Sequence, residues 1–277
     1  MADNKVKVLT VDGLAYYHTK VKQAIKDSEA KYTNAEPIVT PIGGVKVGET
    51  FDNVPVADML TKILYPYTKP TINTMAATAT GGVFEKGTSV SITAMSVIVG
   101  KKSSALAKVE FLNGSTVVDT ISTGLPASGT ATIKSAKTFD ITTNSTLAAK
   151  VYDSEKTPGV STVNGPSYTF VDPYFYGAVP TATAMTSEAI NALTKKIETK
   201  GGKKYAFSGV NNATMVFAYP KSYGVLKSII DPNGFNLTDT FTRTEVNVTV
   251  KSGEVPYYVY RNSASTVDNG YTMTFNY

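Results

Sequence analysis

Short segments in which apolar and polar residues alternate run through most of the chain from residue 70 onward. Residues 90–94, 108–111 and 149–152 carry the pattern clearly, with an apolar residue at every second position. Successive side chains of a strand point to opposite faces of a sheet, so a period of two indicates a strand with one buried face. The chain is therefore predicted to be mainly β.

Turn residues separate these segments at a spacing that is typical of a β-sandwich. The pair Asn113-Gly114 stands between two alternating segments and predicts a tight hairpin, with Val117 on the return strand. About seven short strands fit into residues 68–171, which predicts an immunoglobulin-like β-sandwich. The chain contains neither Cys nor Trp, so its core lacks the Cys–Trp–Cys arrangement of antibody domains and the prediction concerns the fold class alone.

A C-terminal β-rich module with one helix is predicted over residues 172–277, with its boundary at residues 173–177. Thr186 is placed to cap the helix, Ile190 lies on its apolar face, and Gly201-Gly202 follows it. These signals predict a helix over residues 187–199. Strands are predicted for most of the remaining module, up to the alternating residues 271–277.

The first residues carry a different period. Apolar residues recur at spacings of three and four over residues 11–29, which predicts an amphipathic helix with a seam of about two heptads. A short helix is marginally stable alone in water, so its seam must be covered either by copies of itself or by the same chain's own body. We favour oligomerisation through Leu14, Tyr17, Val21 and Ile25.

An extended arm is predicted over residues 32–53, because Pro37, Pro41 and three glycines exclude a long helix there. A second helix is predicted over residues 54–64, with Pro55 in its first turn. Residues 1–67 are thus predicted to form an N-terminal helical anchor, arm and oligomerisation region. Residues 68–171 are predicted to form the immunoglobulin-like domain, and residues 172–277 are predicted to form the C-terminal β-rich domain.

Composition and motifs argue against several functional classes. Cysteine is absent and His18 is the only histidine, so thiolate chemistry and histidine clusters are excluded. The formal charge of 27 − 22 = +5 is spread along the chain, so no nucleic-acid partner is predicted. No apolar run approaches the roughly 18 residues of a membrane span, so no membrane insertion is predicted. We nominate no catalytic, cofactor-binding or metal-binding residue, and predict that the chain is not an enzyme.

Two tyrosine-rich clusters are the candidates for recognition of another surface. They contain Tyr174 and Tyr176 in one segment and Tyr257 and Tyr258 in the other. Tyrosine combines a large ring with a hydroxyl group, which suits contacts to a sugar or a protein. Alternation along a strand would instead bury half of these side chains, so both interpretations stay open.

Several segments carry a resemblance to a known class of proteins. They are residues 11–17 with 21–22, the segment 56–66 ahead of the sandwich, Tyr174-Phe175-Tyr176-Gly177, and residues 217–224 with 230–235. On these segments the chain resembles virion structural proteins of tailed bacteriophages, of the fibre, tail or baseplate accessory type. The resemblance implies homo-oligomers, trimers above all, that assemble in the host cytoplasm with capsid or tail and baseplate proteins.

The leading functional prediction is therefore a non-enzymatic virion structural protein, either a head fibre or a tail or baseplate component. Its N-terminus would anchor it, and its β-sandwich domains would project and serve attachment to the host surface. A dedicated carbohydrate-binding adhesin that binds a host glycan is the alternative. A cell-wall or polysaccharide hydrolase is a third interpretation, for which the sequence offers no catalytic constellation.

Overall fold

The computed structural model describes residues 16–21, 31–33, 36–155, 157–264 and 270–277. The chain divides into two compact units, an N-terminal unit up to Thr68 and a body from Lys69 to Tyr277. Strands account for 51% of the structure and helices for 11%, which confirms the prediction of a mainly β protein. The body contains two β modules, which we call the first module (residues 69–171) and the second module (residues 172–277).

In the N-terminal unit, residues 16–21 are helical, and the remainder of the predicted helix over residues 11–29 lies outside the described residues. Strands β1 (Lys31–Tyr32) and β2 (Val54–Pro55) pair in antiparallel orientation. Helix α1 (Val56–Leu64) follows β2 directly, and Pro55 is its N-terminal flanking residue. Proline suits this position because the first amides of a helix have no intrahelical acceptor.

The segment predicted to be an extended arm folds onto α1. The amide of Gly44 donates a hydrogen bond to the carbonyl oxygen of Lys62 at 2.9 Å. A Cβ atom on Gly43 would lie 2.0 Å from the carbonyl oxygen of Ile63, so only glycine allows this approach. Val45 and Phe51 are the buried apolar side chains of this part of the structure.

The first module consists of ten strands in three sheets that share one core. The sheets are a five-stranded sheet in the order β4-β12-β11-β7-β8, a three-stranded sheet in the order β3-β6-β9 and the short pair β5-β10. The strands are β3 (Thr71–Ala77), β4 (Gly82–Glu85), β5 (Val90–Ile92), β6 (Met95–Gly100), β7 (Leu106–Asn113), β8 (Thr116–Ile121), β9 (Thr130–Ser135), β10 (Phe139–Ile141), β11 (Ser145–Asp153) and β12 (Val160–Val171).

Alternation along these strands places the apolar side chains in the shared core. Val97 of the three-stranded sheet and Phe111 and Val151 of the five-stranded sheet belong to the same buried cluster. The predicted hairpin is confirmed, because Asn113 pairs with Thr116 across the β7–β8 turn. The strand β4 is unusual in that it pairs with β12 in parallel orientation.

The second module contains eight strands, helix α2 and two 3₁₀ turns. They are β13 (Tyr174–Pro180), α2 (Ser187–Asn191), β14 (Thr194–Lys196), β15 (Lys203–Ser208), β16 (Ala213–Pro220), the turn Lys221–Tyr223, β17 (Ser228–Ile230), the turn Thr238–Thr240, β18 (Phe241–Val250), β19 (Gly253–Asn262) and β20 (Gly270–Asn276).

A five-stranded sheet, β14-β13-β16-β19-β18, lies at the centre of this module. A three-stranded sheet, β15-β20-β17, packs against one face through an aromatic core that includes Phe217 and Phe275. Helix α2 packs against the other face through Ile190, which belongs to a second core with Val216. Because β16 is covered on both faces, every one of its residues is buried, which explains its continuous apolar sequence.

The prediction of a helix over residues 187–199 is correct at its start and wrong in its length. The hydroxyl of Thr186 accepts a hydrogen bond from the amide of Ala189 at 3.2 Å, so the predicted cap is confirmed. The helix ends at Asn191, and Thr194–Lys196 instead pair with β13 as an edge strand. Backbone pairing at the sheet edge outweighs the weak helical preference of this segment.

Candidate functional site

The first candidate surface is the exposed side of helix α1. None of its residues is buried, and Leu60 and Leu64 are 45% and 64% exposed. Tyr65, which follows the helix, is 76% exposed. Large contiguous apolar patches are rare on the surfaces of monomeric soluble proteins, and they mark sites of interaction.

Neighbouring parts of the N-terminal unit extend this pattern. Among the described residues, this smaller unit contributes eleven of the seventeen large apolar side chains that are exposed. Lys62 Nζ lies 2.5 Å from Glu49 Oε2. This ion pair connects α1 to the preceding loop and lowers the pKa of Glu49. We call the following exposed residues the anchor surface: Val39, Ile42, Val47, Leu60, Leu64, Tyr65 and Tyr67.

The residues predicted to form the oligomerisation seam are described only in part. Tyr17 and Val21 lie on the helical segment 16–21 and are 63% and 36% exposed. Leu14 and Ile25 lie outside the described residues. His18 lies on the same helical segment and is exposed.

The second candidate region is the junction between the two modules of the body. Glu85 ends strand β4 of the first module, and only 8% of its surface is exposed. Its carboxylate accepts a hydrogen bond from Lys195 Nζ, and Lys251 Nζ lies 3.4 Å from its second oxygen. Both lysines belong to the second module, so this ion-pair cluster joins the modules.

Two hydrogen bonds within the second module and one close backbone contact across the junction accompany these ion pairs. The hydroxyl of Tyr257 donates a hydrogen bond to the carbonyl oxygen of Pro173 at 2.9 Å, and that of Ser252 donates to Asp172 at 2.6 Å. Gly87 has a φ of 87°, and a Cβ atom there would lie 2.4 Å from the carbonyl oxygen of Lys251. The turn after β4 therefore packs directly on the turn between β18 and β19.

A cleft of about 680 Å³ opens at this junction. The first module contributes Lys86, the loop at residues 142–144 and the end of β12, and the second module contributes residues 199–200 and 222–223. Clefts of this size are typical of small-molecule sites. Asn144 is held rigidly, because its side-chain oxygen accepts a hydrogen bond from the amide of Phe170 at 2.6 Å.

Six of the residues that line this cleft carry a hydroxyl group. Within the described part of the chain, no side-chain hydrogen bond engages any of these six hydroxyls, so they are available to a ligand. Burial, with a contribution from Asp172, raises the pKa of Tyr223, so its hydroxyl remains a proton donor at neutral pH. The six residues are Thr142, Thr143, Thr169, Thr199, Ser222 and Tyr223.

The tyrosines proposed for surface recognition prove to be structural in two of four cases. Tyr174 and Tyr257 have no exposed surface, which excludes them from a recognition surface and corrects the sequence prediction. Tyr176 and Tyr258 are half-buried, and the ring of Tyr176 stacks on Tyr205 with 4.3 Å between centroids. Tyr174 and Tyr176 lie on the same face of β13 and both contact the aromatic core, whereas Tyr257 and Tyr258 point to opposite faces of β19.

These core tyrosines titrate far from neutrality. Burial raises the pKa of Tyr174 to about 12, and burial also raises the pKa of Tyr257. The hydroxyls of Tyr174 and Tyr277 are buried without a well-formed hydrogen bond to any described residue. An unpaired buried hydroxyl is costly, and ionising it is costlier still.

Sequence reasoning missed the junction and its cleft. Glu85 and Lys195 are 110 residues apart, and nothing in their local sequence marks them as partners. Lys195 lies in a run of basic residues, and the charge pattern of such a run indicates only a solvated surface. In the described ranges, no group of three or more metal-ligating side chains comes together, and no helix is long and apolar enough to cross a membrane.

Comparisons of the chain with protein-family models, with curated proteins and with solved structures gave no match.

Proposed function

We propose that this protein is a non-enzymatic structural component of a tailed-bacteriophage virion, either a head fibre or a tail or baseplate component. The observation that carries the proposal is the anchor surface, a set of large apolar side chains left exposed in the smaller unit of the chain. Burying apolar area contributes about 25 cal/mol per Å², so a surface of this kind gains stability when another subunit covers it.

The body supports the proposal through its rigidity. Two β modules are joined by Glu85 and its two lysines and by direct backbone packing at Gly87. We propose that the body projects from the particle while the N-terminal unit binds other virion proteins. We further propose homo-oligomers, with trimers favoured, that assemble in the host cytoplasm.

We propose an immunoglobulin-like fold for the first module. Two features support it: mainly antiparallel sheets that share one core, and a length of about 100 residues.

A second candidate function is a carbohydrate-binding adhesin, and the cleft at the module junction favours it. Its six hydroxyls are not used in side-chain hydrogen bonds among the described residues, which suits a ligand rich in hydroxyl groups. The two functions are compatible, because a projecting virion protein attaches to the host through such a site.

The test of the anchoring role compares two substitutions of matched exposure in the full chain. Leu60→Asp changes the anchor surface, and Val117→Asp changes an edge strand of the first module; both residues are 45% exposed. We expect the wild type and Val117→Asp to form the same oligomer by light scattering after gel filtration, and Leu60→Asp to dissociate. A monomeric wild type that is also missing from purified particles by mass spectrometry would contradict the proposal.

A further inference from the structure

The cleft at the module junction is a rigid site. Its walls come from both modules, and these modules are joined by the ion pairs of Glu85 with its two lysines and of Lys86 with Asp172. A preformed site loses little conformational entropy when a ligand binds. Its volume of about 680 Å³ leaves room for more than a single ion.

The polar groups of the cleft match a ligand with many hydroxyl groups. Thr142, Thr143 and Thr169 line one wall and Thr199, Ser222 and Tyr223 the other, each with a hydroxyl that both donates and accepts. The oxygen of Asn144 is used by the Phe170 amide, which leaves the amide nitrogen as a further donor.

The charge of the cleft favours an acidic ligand. Lys86 lies 3.6 Å from Asp172, so these two charges compensate each other. Lys200 has no carboxylate within ion-pair distance among the described residues, and its ammonium group lies 5.8 Å from the centre of the Tyr277 ring. An uncompensated lysine beside several neutral donors is a suitable partner for a carboxylate.

We propose that the cleft between the two β modules binds a saccharide that carries a carboxylate, such as a uronic or sialic acid residue. Lys200 contacts the carboxylate, and the hydroxyls of the cleft contact those of the sugar. This inference rests on the proposed attachment role, for which it names the site and the ligand class. Single-site binding is expected to be weak, and linked copies raise the apparent affinity by about 10²–10⁴.

The test measures binding to the full chain by saturation-transfer NMR and calorimetry. The probes are a short oligomer of glucuronic acid, a sialylated lactose, and the carboxyl-reduced counterpart of the first. Lys200→Glu reverses the charge inside the cleft, and Lys137→Glu makes the same change at an exposed site outside it. Tyr223→Phe removes one hydroxyl and keeps the ring that packs against Tyr174.

We expect at least one acidic probe to bind, the carboxyl-reduced oligomer to bind less tightly, and Lys200→Glu to weaken binding by about tenfold or more. Lys137→Glu should match the wild type, and Tyr223→Phe should fold normally and bind several-fold more weakly. Three results overturn the inference: no binding of either acidic probe, equal binding of the reduced oligomer, or equal losses for Lys200→Glu and Lys137→Glu.

The oligomeric state of the same samples separates this inference from the anchoring role. A monomer that is also missing from purified particles, yet binds the acidic probe through Lys200, contradicts the anchoring role and leaves the cleft assignment standing. An oligomer that binds neither probe contradicts the cleft assignment alone.

Discussion

Replacing Gly87 by alanine tests whether the two modules form one rigid body. Gly87 has a φ of 87°. An added Cβ atom would lie 2.4 Å from the carbonyl oxygen of Lys251 and 2.7 Å from the amide nitrogen of Ser252, both in the opposing turn. Both atoms belong to the backbone, so no side-chain rotation relieves the clash. The substitution must move the turn after β4 away from the second module.

The magnitude follows from two separate costs. Alanine at a positive φ costs about 1 kcal/mol relative to glycine. Displacing packed backbone adds about 1–3 kcal/mol, in the range of overpacked cores. Gly124 provides the matched control, since its φ is 68° and nothing lies within 4 Å of its would-be Cβ atom. Gly124→Ala therefore carries the first cost alone.

Thermal unfolding followed by circular dichroism measures the difference. The body spans 277 − 69 + 1 = 209 residues, and for this size 1 kcal/mol shifts Tm by about 2–4 °C. We expect Gly124→Ala to lower Tm by about 2–4 °C and Gly87→Ala by about 5–15 °C. X-ray scattering should also report a more flexible body for Gly87→Ala. Equal Tm losses for the two variants would refute the close packing of the modules.

Three further outcomes are expected from the contacts of the body. Arg261 donates hydrogen bonds to the Thr214 hydroxyl and to three carbonyl oxygens of residues 180–183. Arg261→Lys should lower the free energy of unfolding by about 2–3 kcal/mol and speed amide exchange in the loop at residues 180–183. Unchanged exchange would contradict the role of Arg261 in holding this loop. Glu85→Gln should lower the free energy of unfolding by about 1 kcal/mol at low salt, a modest loss because both lysine partners are solvent-accessible. An equal loss at high salt would argue against an ionic contribution of Glu85. Burial raises the pKa of Tyr174 to about 12 from an unfolded value near 10. The contribution of this group to the free energy of unfolding is therefore intact below about pH 10 and falls by about 2–3 kcal/mol as the pH passes about 12. Denaturant titrations that show constant stability over this interval would contradict the raised pKa.

Features that depend on local sequence could be predicted, and features that depend on distant partners could not. The hairpin at Asn113-Gly114 and the cap at Thr186 were correct because both signals are complete within a few residues. The parallel pairing of β4 with β12 joins segments more than 80 residues apart, and no local pattern specifies it.

The same reasoning accounts for the errors. The segment after Asn191 has both helical and strand character, and its pairing with β13 decides between them. Tyr174 and Tyr257 looked like recognition residues because composition reports residue type and not the face of the sheet. The cleft was missed altogether, since the loops that line it meet only after both modules have folded.

The position of β20 has a consequence for synthesis of the protein. This strand lies between β15 and β17 in the three-stranded sheet, and its Met273 and Phe275 are fully buried. The second module therefore stays open on the ribosome until Gly270–Asn276 has been translated, while the strands of the first module are already complete. Chains terminated upstream of this strand expose the aromatic core, so we expect proteases to degrade them faster than the full chain.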